Sequence, residues 1–386
     1  MNLKMSSNSS DYYSWIELHQ GSFDHNVQEL YKMRGPAETL GLVVKANAYG
    51  HGLAQVARFA SCHSCISHLF VSTLQEAFYL RSLNPAQQIV ALIPVERTLL
   101  SEAIASNIEL VVYSFDFLKA VVESARHIGK KALVHIKIDT GLGRLGFLPE
   151  QLGELVELLE ANKDLLSLRG CMTHYAQSGT ADHTTMFVQR AVYGECIRTF
   201  LSKGISFPLR HAAASGGFIH MDSASENFAR IGTAWTGIWK SCEQQHDVTM
   251  QHQGAFLQPV LHWKTRVMQV KDLPTGSAVG YQGRFVAQRR TKLLLLPVGY
   301  ADGYAREFYP GGWVLVGGRK APVAGLVSMN VLAVDGTECP DVLVGDEVLL
   351  LGGNGEQSVS RLARLLGVGE LDLFTRLSDL LPRIIV

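Results

Sequence analysis

Residues 132–162 read ALVHIKIDTGLGRLGFLPEQLGELVELLEAN, in which a short apolar run precedes a stretch with helical spacing. The run at 132–139 is rich in β-branched residues and has the length of a buried strand. In the stretch at 150–162, Leu152, Leu155 and Leu159 recur at the spacing of one helix face. A strand followed at once by a helix is the repeating half of a parallel βαβ unit.

Seven further strand candidates accompany this one, and stretches with helical spacing separate them. The eight candidates lie at 41–45, 68–73, 88–93, 109–114, 132–139, 168–174, 208–215 and 229–235. Eight strand and helix repeats in roughly 200 residues predict an α/β fold, a closed (β/α)8 TIM barrel. An open doubly wound sheet is the alternative arrangement for such an alternation.

The pattern changes near residue 250, after which short apolar runs follow one another with turns between them. Runs at 261–270, 291–298, 311–318, 321–327 and 346–353 predict strands, and glycine pairs at 311–312, 317–318 and 352–353 predict hairpin turns. We therefore expect a barrel domain over residues 1–250 and a β-rich domain over 251–386, ending in a helix near 358–366 and a last strand. The strand-like run from Tyr13 to Leu18 is expected to pack with the C-terminal domain.

Charge and composition exclude several classes of function. Of 386 residues, 35 are Lys or Arg and 35 are Asp or Glu, so no global basic field favours a nucleic acid or an anionic membrane. No window reaches the ~18 uninterrupted apolar residues of a transmembrane helix. Met1 to Trp15 lack the apolar centre of a signal peptide, which predicts a cytoplasmic enzyme.

Cysteine usage predicts neither disulfides nor a metal site. Six cysteines in 386 residues are too sparse for a disulfide framework. Cys62 and Cys65 form a C-x-x-C with His63 and His68 nearby, but a zinc or redox site needs a second ligand pair. The other cysteines are scattered singly along the chain, so we expect no bound metal.

Polar side chains recur where five of the predicted strands end, and active sites of this architecture lie at the ends of strands. Lys45 closes the first strand, where poor solvation lowers the pKa of its amine and favours the neutral nucleophile. The other such residues are Lys137, Asp139, Thr140, Arg144, Thr173, His174, His211, Ser215, Arg230, Gly232 and Thr233. A nucleophilic lysine, hydroxyls and amides for a phosphate, and fixed cations suit pyridoxal phosphate.

A second motif points to a different cofactor. Residues 141–146, GLGRLG, match the G-x-G-x-x-G pattern of a dinucleotide site, with Glu160 or Asp164 as the ribose acid. That pattern usually follows the first strand of a sheet, whereas here it follows the fifth and carries Arg144 inside the loop. The pyridoxal phosphate interpretation is therefore favoured.

The segment around Lys45, VVKANAYGHG at 43–52, resembles the alanine racemase family of fold-type III pyridoxal phosphate enzymes. Further motifs follow in the same order: KIDTGLGRLG at 137–146, THYA at 173–176, RIG at 230–232, VGY at 279–281 and VGYADGYAR at 298–306. The resemblance implies a (β/α)8 barrel with a C-terminal β domain, pyridoxal 5′-phosphate as cofactor, and a head-to-tail homodimer with shared active sites. The implied activity is two-base interconversion of L- and D-alanine, supplying D-alanine for peptidoglycan.

The resemblance also implies roles for individual residues. Lys45 binds the cofactor covalently and is the base on one face, while Tyr281 from the other subunit is the base on the opposite face. Arg230, held by His211, faces the pyridine nitrogen. The remaining implied residues are the phosphate contacts Tyr49, Ser215, Gly232 and Thr233, the substrate contacts Arg144 and Met329, His174 as partner of the catalytic tyrosine, and the supporting residues Lys137 (carbamylated in the family), Tyr300 and Asn330.

Five features depart from the family pattern. A three-residue insertion lies near 177–179, and the replaced residues are Ala214 (usually Asn), Leu326 (Arg), Asn330 (Asp) and Leu371 (a Tyr near the last strand). Loss of the tyrosine and of the arginine predicts a wider and less polar substrate entrance, unless Phe374 refills the space. We therefore expect larger amino acids such as serine to be accepted beside alanine.

Three other functions remain as alternatives. The first is a broad-specificity amino-acid racemase. The second is a non-enzymatic pyridoxal phosphate carrier, against which the C-terminal region with Tyr281 argues. The third is a fold-type III decarboxylase, which would need a cysteine and aspartate pair that Cys339 does not offer.

Overall fold

The computed structural model describes residues 9–35, 37–93, 96–180, 182–239, 241–252 and 254–386. The chain divides into two compact units. The first unit contains residues 1–23, 47–55 and 258–386, and the second contains residues 24–46 and 56–257.

The second unit is a nearly closed parallel barrel. Its strands are β2 (Leu40–Val43), β3 (Ile66–Val71), β4 (Gln88–Ala91), β5 (Ile108–Val112), β6 (Ala132–Lys137), β7 (Leu166–Met172), β8 (Leu209–His211) and β9 (Ala229–Ile231). Strands β2 to β8 pair in sequence order, and β9 lies beside β2. A parallel bridge between Ala214 and Arg230 links the two ends of the sheet. The eight predicted strands and the barrel are confirmed, and the open doubly wound sheet is excluded.

The barrel interior is built from continuous apolar strands because helices cover their outer faces. Every residue of β2 and β5 is buried. Gly170 on β7 lies where a Cβ atom would collide with the ring of His135, so only glycine leaves room for that imidazole. The interior therefore holds a layer of buried histidines between the apolar layers.

Several helices begin or end at residues that cap their backbone groups. The eleven helices are α1 (Gln20–Lys32), α2 (Lys45–Tyr49), α3 (Leu53–Ser61), α4 (Leu74–Ser82), α5 (Leu100–Ala105), α6 (Phe115–Ile128), α7 (Leu152–Ala161), α8 (Thr184–Ser202), α9 (Cys242–Gln251), α10 (Val359–Leu366) and α11 (Glu370–Thr375), counted over the described ranges. Thr73 and Glu76 form a capping box at the start of α4. Gly129 ends α6 in the left-handed conformation. No helix among the described residues has both the length and the apolar character that crossing a membrane requires.

Helix α2 is a single turn of left-handed helix, which L-residues rarely form. Ala46, Asn47, Ala48 and Tyr49 have φ angles of 53°, 51°, 53° and 50°. Each such residue costs roughly 1–2 kcal/mol relative to the right-handed form. Hydrogen bonds within the first unit hold the turn. Asn47 donates to Asp379 Oδ1 at 2.6 Å and accepts from the Leu53 N–H at 2.7 Å.

The first unit is β-rich. Its strands are β1 (Ser14–Leu18), β10 (Leu261–Arg266), β11 (Gln269–Leu273), β12 (Ala278–Val279), β13 (Phe285–Val286), β14 (Thr291–Leu296), β15 (Trp313–Val316), β16 (Arg319–Pro322), β17 (Leu332–Asp335), β18 (Glu347–Leu351) and β19 (Arg383–Ile385). One sheet has the order β16-β15-β18-β10-β1-β19, and a second has the order β11-β14-β17. Strand β1 therefore pairs with β10 and β19.

The predictions for this region are confirmed in part. Gly317 and Gly318, with φ of 55° and 79°, form the turn between β15 and β16. The strand predicted at 321–327 is wrong beyond Pro322, because Gly325 has φ of 94° and takes the chain out of the extended conformation. Strands β12, β13 and β17 and helix α11 were not predicted.

Candidate active site

Lys45 lies just beyond the first barrel strand. The strand was predicted to end at Lys45, but it ends at Val43 because the left-handed turn begins two residues later. Burial lowers the pKa of the Lys45 amine, the nearby Arg144 lowers it further, and Glu76 opposes the shift. The amine is therefore closer to its neutral, nucleophilic form than a free lysine is.

Arg230 on β9 is a buried cation held from several sides. Its guanidinium donates to the carbonyl oxygens of Thr173 at 2.8 Å and Ala212 at 3.0 Å, and also to that of His211. It lies 2.8 Å from His211 Nδ1 and 3.3 Å from His174 Nδ1. Burial lowers the pKa of Arg230 to about 10, so the group stays charged at neutral pH.

A chain of buried hydrogen bonds continues from Arg230 to Glu109. His211 Nε2 lies 2.9 Å from His135 Nδ1, and His135 Nε2 lies 2.6 Å from Glu109 Oε2. A guanidinium only donates hydrogen bonds, so His211 must accept at Nδ1 and carry its proton on Nε2. His135 must in turn accept at Nδ1 and donate from Nε2 to the carboxylate. The donor and the acceptor of each of these hydrogen bonds are therefore fixed, and both imidazoles are neutral.

The charges along this chain agree with that assignment. Burial and the Arg230 charge lower the pKa of His211 well below its usual value. Burial alone would raise the pKa of Glu109, but the hydrogen bond from His135 and the charge of the Arg169 guanidinium, 3.2 Å away, hold it below its usual value. The sequence analysis identified His211 and Arg230 but missed His135 and Glu109. In the sequence, each of these two is only a polar residue within an otherwise apolar strand.

Ser215, Gly232 and Thr233 come together after β8 and β9. The Ser215 hydroxyl accepts from the Gly232 N–H at 2.9 Å and from the Ala234 N–H at 3.3 Å. Thr233 opens the short 3-10 turn that ends at Thr236. Ser215 is buried, and its hydroxyl hydrogen is directed away from these two donors. The arrangement brings the Ser215 hydroxyl and backbone amides to one place, and these amides bond a neutral hydroxyl that a phosphate oxygen could replace, whereas the amides of a loop such as 141–146 would have to give up a carboxylate.

Lys137 ends β6 in a buried, positively charged environment. Burial, together with the charges of Arg144 and Arg230, lowers the pKa of its amine to about 8. Arg144 itself lies in an exposed loop after the strand. The structure therefore brings Lys45, Lys137, Arg144 and Arg230 within electrostatic reach of one another, as the barrel prediction required.

The glycine-rich loop 141–146 is not a dinucleotide loop. The N–H groups of Gly141, Leu142, Gly143 and Arg144 all donate to the Asp139 carboxylate, at distances of 2.8–3.2 Å. These hydrogen bonds hold the pKa of Asp139 low, against the effect of its burial. The amides that would bind a pyrophosphate are already occupied, so the dinucleotide interpretation is wrong.

The predicted residues of the first unit lie in loops of that unit. Tyr281 is 68% exposed, and it sits between Gly280 and Gln282, which have φ of 70° and 61°. Tyr300 and Met329 are also exposed, and their segments are joined by hydrogen bonds from the Tyr300 N–H to Ser328 at 3.1 Å and from the Ala301 N–H to Met329 at 3.0 Å. Asn330 is exposed beside Met329, and Leu326 is half-buried. The phenol of Tyr49 is buried, which raises its pKa.

Leu371 was placed near the last strand, and this placement is wrong. It lies half-buried in helix α11, because residues 370–375 form a helix that ends well before β19. Phe374, on the same helix, is buried with its ring centroid 4.7 Å from that of His51.

Comparisons with known proteins identify the family. The profile for the alanine racemase N-terminal domain matches residues 18–239, and that for the alanine racemase C-terminal domain matches residues 260–385. An alanine racemase of Syntrophobacter fumaroxidans is 35% identical over 369 residues, which are 94% of this chain and 94% of the relative.

Solved structures agree over the same length. An alanine racemase of Clostridium difficile superposes with a TM-score of 0.91 at 25% identity, covering 97% of this chain and 96% of the other. An alanine racemase of Bacillus anthracis with bound L-Ala-P has a TM-score of 0.88 at 25% identity, covering 97% and 95%. The chain belongs to the alanine racemase family, the enzymes that interconvert L- and D-alanine.

Proposed function

We propose that this alanine racemase works with pyridoxal 5′-phosphate bound through Lys45, and that Lys45 and Tyr281 exchange the Cα proton of alanine. The observation that carries the proposal is the buried guanidinium of Arg230, fixed by three carbonyl oxygens and a histidine near a lysine of lowered pKa. The same barrel end offers Ser215, Gly232 and Thr233 for the phosphate, and Tyr49 is its fourth contact. When bound, the cofactor draws electrons from Cα and so acidifies its C–H bond.

Two bases are needed because racemization removes a proton from one face of Cα and returns one to the other. Lys45 serves one face, since burial favours its neutral amine. Tyr281 serves the other face. Its phenol is largely exposed on its own chain and is therefore available to a second copy. We infer a homodimer in which Tyr281 of the partner subunit, with Met329 and Asn330 near it, completes each site.

Arg230 sets the protonation of the cofactor nitrogen. A guanidinium does not give up its proton, and the chain through His211 and His135 supplies no proton that could move toward it. Arg230 would therefore donate a hydrogen bond to the ring nitrogen of a bound cofactor without protonating it, which would make the cofactor a weaker electron acceptor. His174, bonded to the same guanidinium, is assigned to orient the Tyr281 phenol.

The proposal also covers the domains of the enzyme, its location and its cellular role. We propose that residues 1–250 form the cofactor-binding domain and 251–386 the domain that donates Tyr281, with Tyr300 supporting the loop of Met329. The enzyme would act in the cytoplasm and supply D-alanine for peptidoglycan.

The direct test of the activity is incubation of the purified enzyme and cofactor with L-alanine, followed by chiral chromatography. Formation of D-alanine is the expected result, and its absence from cofactor-loaded protein contradicts the proposal.

Lys137 is expected to carry a carbamate. Its amine, with a pKa of about 8, is partly neutral at physiological pH and can add CO2, losing a proton to become an anion beside Arg144. The native enzyme in ¹³C-labelled bicarbonate should give a carbamate carbon signal by NMR, and Lys137→Ala should lose both this signal and most of the activity. Lys131→Ala, at the exposed lysine directly before the same strand, is the control that should keep both. A carbamate signal that persists in Lys137→Ala contradicts the assignment.

Acceptance of serine is the second candidate activity, and the leucine at position 371 favours it. A methylene or hydroxyl on a substrate is discriminated by only ~1–3 kcal/mol in a fitted pocket, and a wider pocket discriminates less. We expect Leu371→Tyr to lower the ratio of kcat/KM for L-serine over L-alanine by about tenfold. Leu380→Tyr, at a position 88% exposed, should leave the ratio unchanged. A low native ratio that Leu371→Tyr does not alter would show that another side chain, such as Phe374, closes the pocket.

A further inference from the structure

Three potential metal ligands meet in the barrel unit, and none of them has a role in the proposed function. His183 precedes helix α8, His220 ends the short turn Phe218–His220, and Asp247 lies on helix α9. One ligand atom from each of the three side chains lies within 4.8 Å of the other two. All three side chains are half-buried, so the group is shielded from solvent and still accessible to an ion.

His183 and Asp247 lie further apart than two hydrogen-bonded histidine and carboxylate pairs elsewhere in the protein. His183 Nε2 and Asp247 Oδ2 are 3.4 Å apart, whereas His63 and Asp24 are 2.8 Å apart and His135 and Glu109 are 2.6 Å apart. Ligands about 2.0–2.1 Å from a tetrahedral Zn²⁺ are separated by roughly 3.3 Å. The rings of His183 and His220 also approach, with centroids 4.4 Å apart and planes tilted by 52°.

The surroundings leave these donors available. Among the described residues, the buried Nδ1 atom of His183 has no hydrogen-bond partner, and the Arg190 guanidinium donates to the backbone carbonyl oxygen of His220 at 2.7 Å. A second group of similar composition, Glu17, His19 and His262, is different. There the ammonium of Lys264 lies 2.8 Å from the Glu17 carboxylate, so a charged side chain already neutralises the carboxylate that would bind a metal ion.

We propose that His183, His220 and Asp247 bind a divalent transition metal, with Zn²⁺ as the natural occupant. Two imidazoles and one carboxylate are a donor set that Zn²⁺ favours, and a water molecule would complete the tetrahedron. The ion would tie together three segments that are distant in sequence, which is the function of a structural site.

The metal would also support the segment that carries Ser215. Gln244 on helix α9 donates to the Ser215 carbonyl oxygen, and Ser241 at the start of that helix donates to the Gly179 carbonyl oxygen. Asp247 lies one turn after Gln244, so an ion bound there restrains the same helix. This consequence for the phosphate contact rests on the proposed function, whereas metal binding does not.

The test is a titration of untagged holoenzyme, treated with a chelator, with Co²⁺ as a spectroscopic substitute for Zn²⁺. We expect one Co²⁺ per chain with intense visible d–d bands typical of four or five ligands, displaced by Zn²⁺. His220→Ala and Asp247→Asn each remove a direct ligand and should weaken binding by more than the ~10–100-fold that loss of an outer-shell partner costs. His63→Ala and Cys62→Ser, outside the group, should bind as the native enzyme does.

Thermal unfolding gives a second readout that does not depend on racemization. Zn²⁺ should raise the melting temperature of the native enzyme and leave that of His220→Ala and Asp247→Asn unchanged. Equal melting temperatures of native and variant proteins without metal would show that the variants fold. Unchanged Co²⁺ affinity in both ligand variants, or loss of binding in Cys62→Ser, overturns the site. Failure to form D-alanine would overturn the proposed function and leave these results intact.

Discussion

Lys45→Ala and Tyr281→Phe should each abolish racemization, and mixing the two inactive variants should restore part of it. Each substitution removes one of the two bases of the proposed mechanism. A positioned acid or base contributes about 10²–10⁴-fold to the rate, so each variant should lose at least this factor. Lys45→Ala should also lose the visible absorbance of the bound cofactor, whereas Tyr281→Phe should keep it. In the native enzyme, borohydride should bleach this absorbance and leave the cofactor permanently bonded to Lys45.

The mixture tests where Tyr281 comes from. In a symmetric dimer with shared sites, one site of each heterodimer receives Lys45 from one chain and Tyr281 from the other. Random exchange makes half of the dimers heterodimers with one intact site of two, which sets an upper limit of about a quarter of the native activity. Subunit exchange is verified with differently labelled chains. Exchange without recovered activity would mean that both bases come from the same chain.

Glu109→Leu should destabilise the enzyme strongly, because the carboxylate ends the hydrogen-bond chain that begins at Arg230. A buried donor that is left without its acceptor costs about 1–3 kcal/mol. The His135 Nε2–H would lose its acceptor, and the tautomer of His211 would no longer be fixed. Glu109→Gln keeps an acceptor oxygen, so it should retain the tautomers and lose less stability. Urea unfolding measures the free energy, and ¹⁵N NMR of the histidine rings measures the tautomers.

The pH dependence supplies a further check on Glu109. Its folded-state pKa is lowered, so its contribution to stability is present above the unfolded pKa of ~4.3 and is lost as the pH falls through the folded value. Glu109→Gln should therefore be less stable than the native enzyme at neutral pH, and the difference should shrink in acid. Glu154→Gln, at an exposed position of helix α7, should match the native enzyme throughout. Native stability and unchanged histidine tautomers in Glu109→Leu would contradict the proposed chain.

The barrel could be predicted because its signals are local. Parallel strands buried on both faces appear as continuous apolar runs, and all eight were found within a few residues of their ends. The hydrogen-bond chain could not be predicted, because His135 lies 26 residues from Glu109 and 76 from His211. Only the pairing of strands β5 to β8 in one sheet brings these side chains together. The same holds for His183, His220 and Asp247, which come from three separate segments.

Some local features were missed for a different reason. Strand β17 has only four residues, Leu332–Asp335, too few for a clear alternation. After Lys45 only Asn47 is of a type that visits the left-handed region, and Ala46, Ala48 and Tyr49 give no sign of a left-handed turn. That conformation depends on contacts such as the one from Asn47 to Asp379, 332 residues later.

This turn has a consequence for protein synthesis. Its partners include Asp379, which bonds to Asn47, and Arg383, which donates to the Gly50 carbonyl oxygen at 2.8 and 3.0 Å from 333 residues further along. A ribosome adds about 5–20 residues per second, so the segment after Lys45 waits tens of seconds for these partners. The barrel strands are translated long before then. The backbone that follows Lys45 therefore gains the last of these hydrogen bonds only after the ribosome has made residue 383.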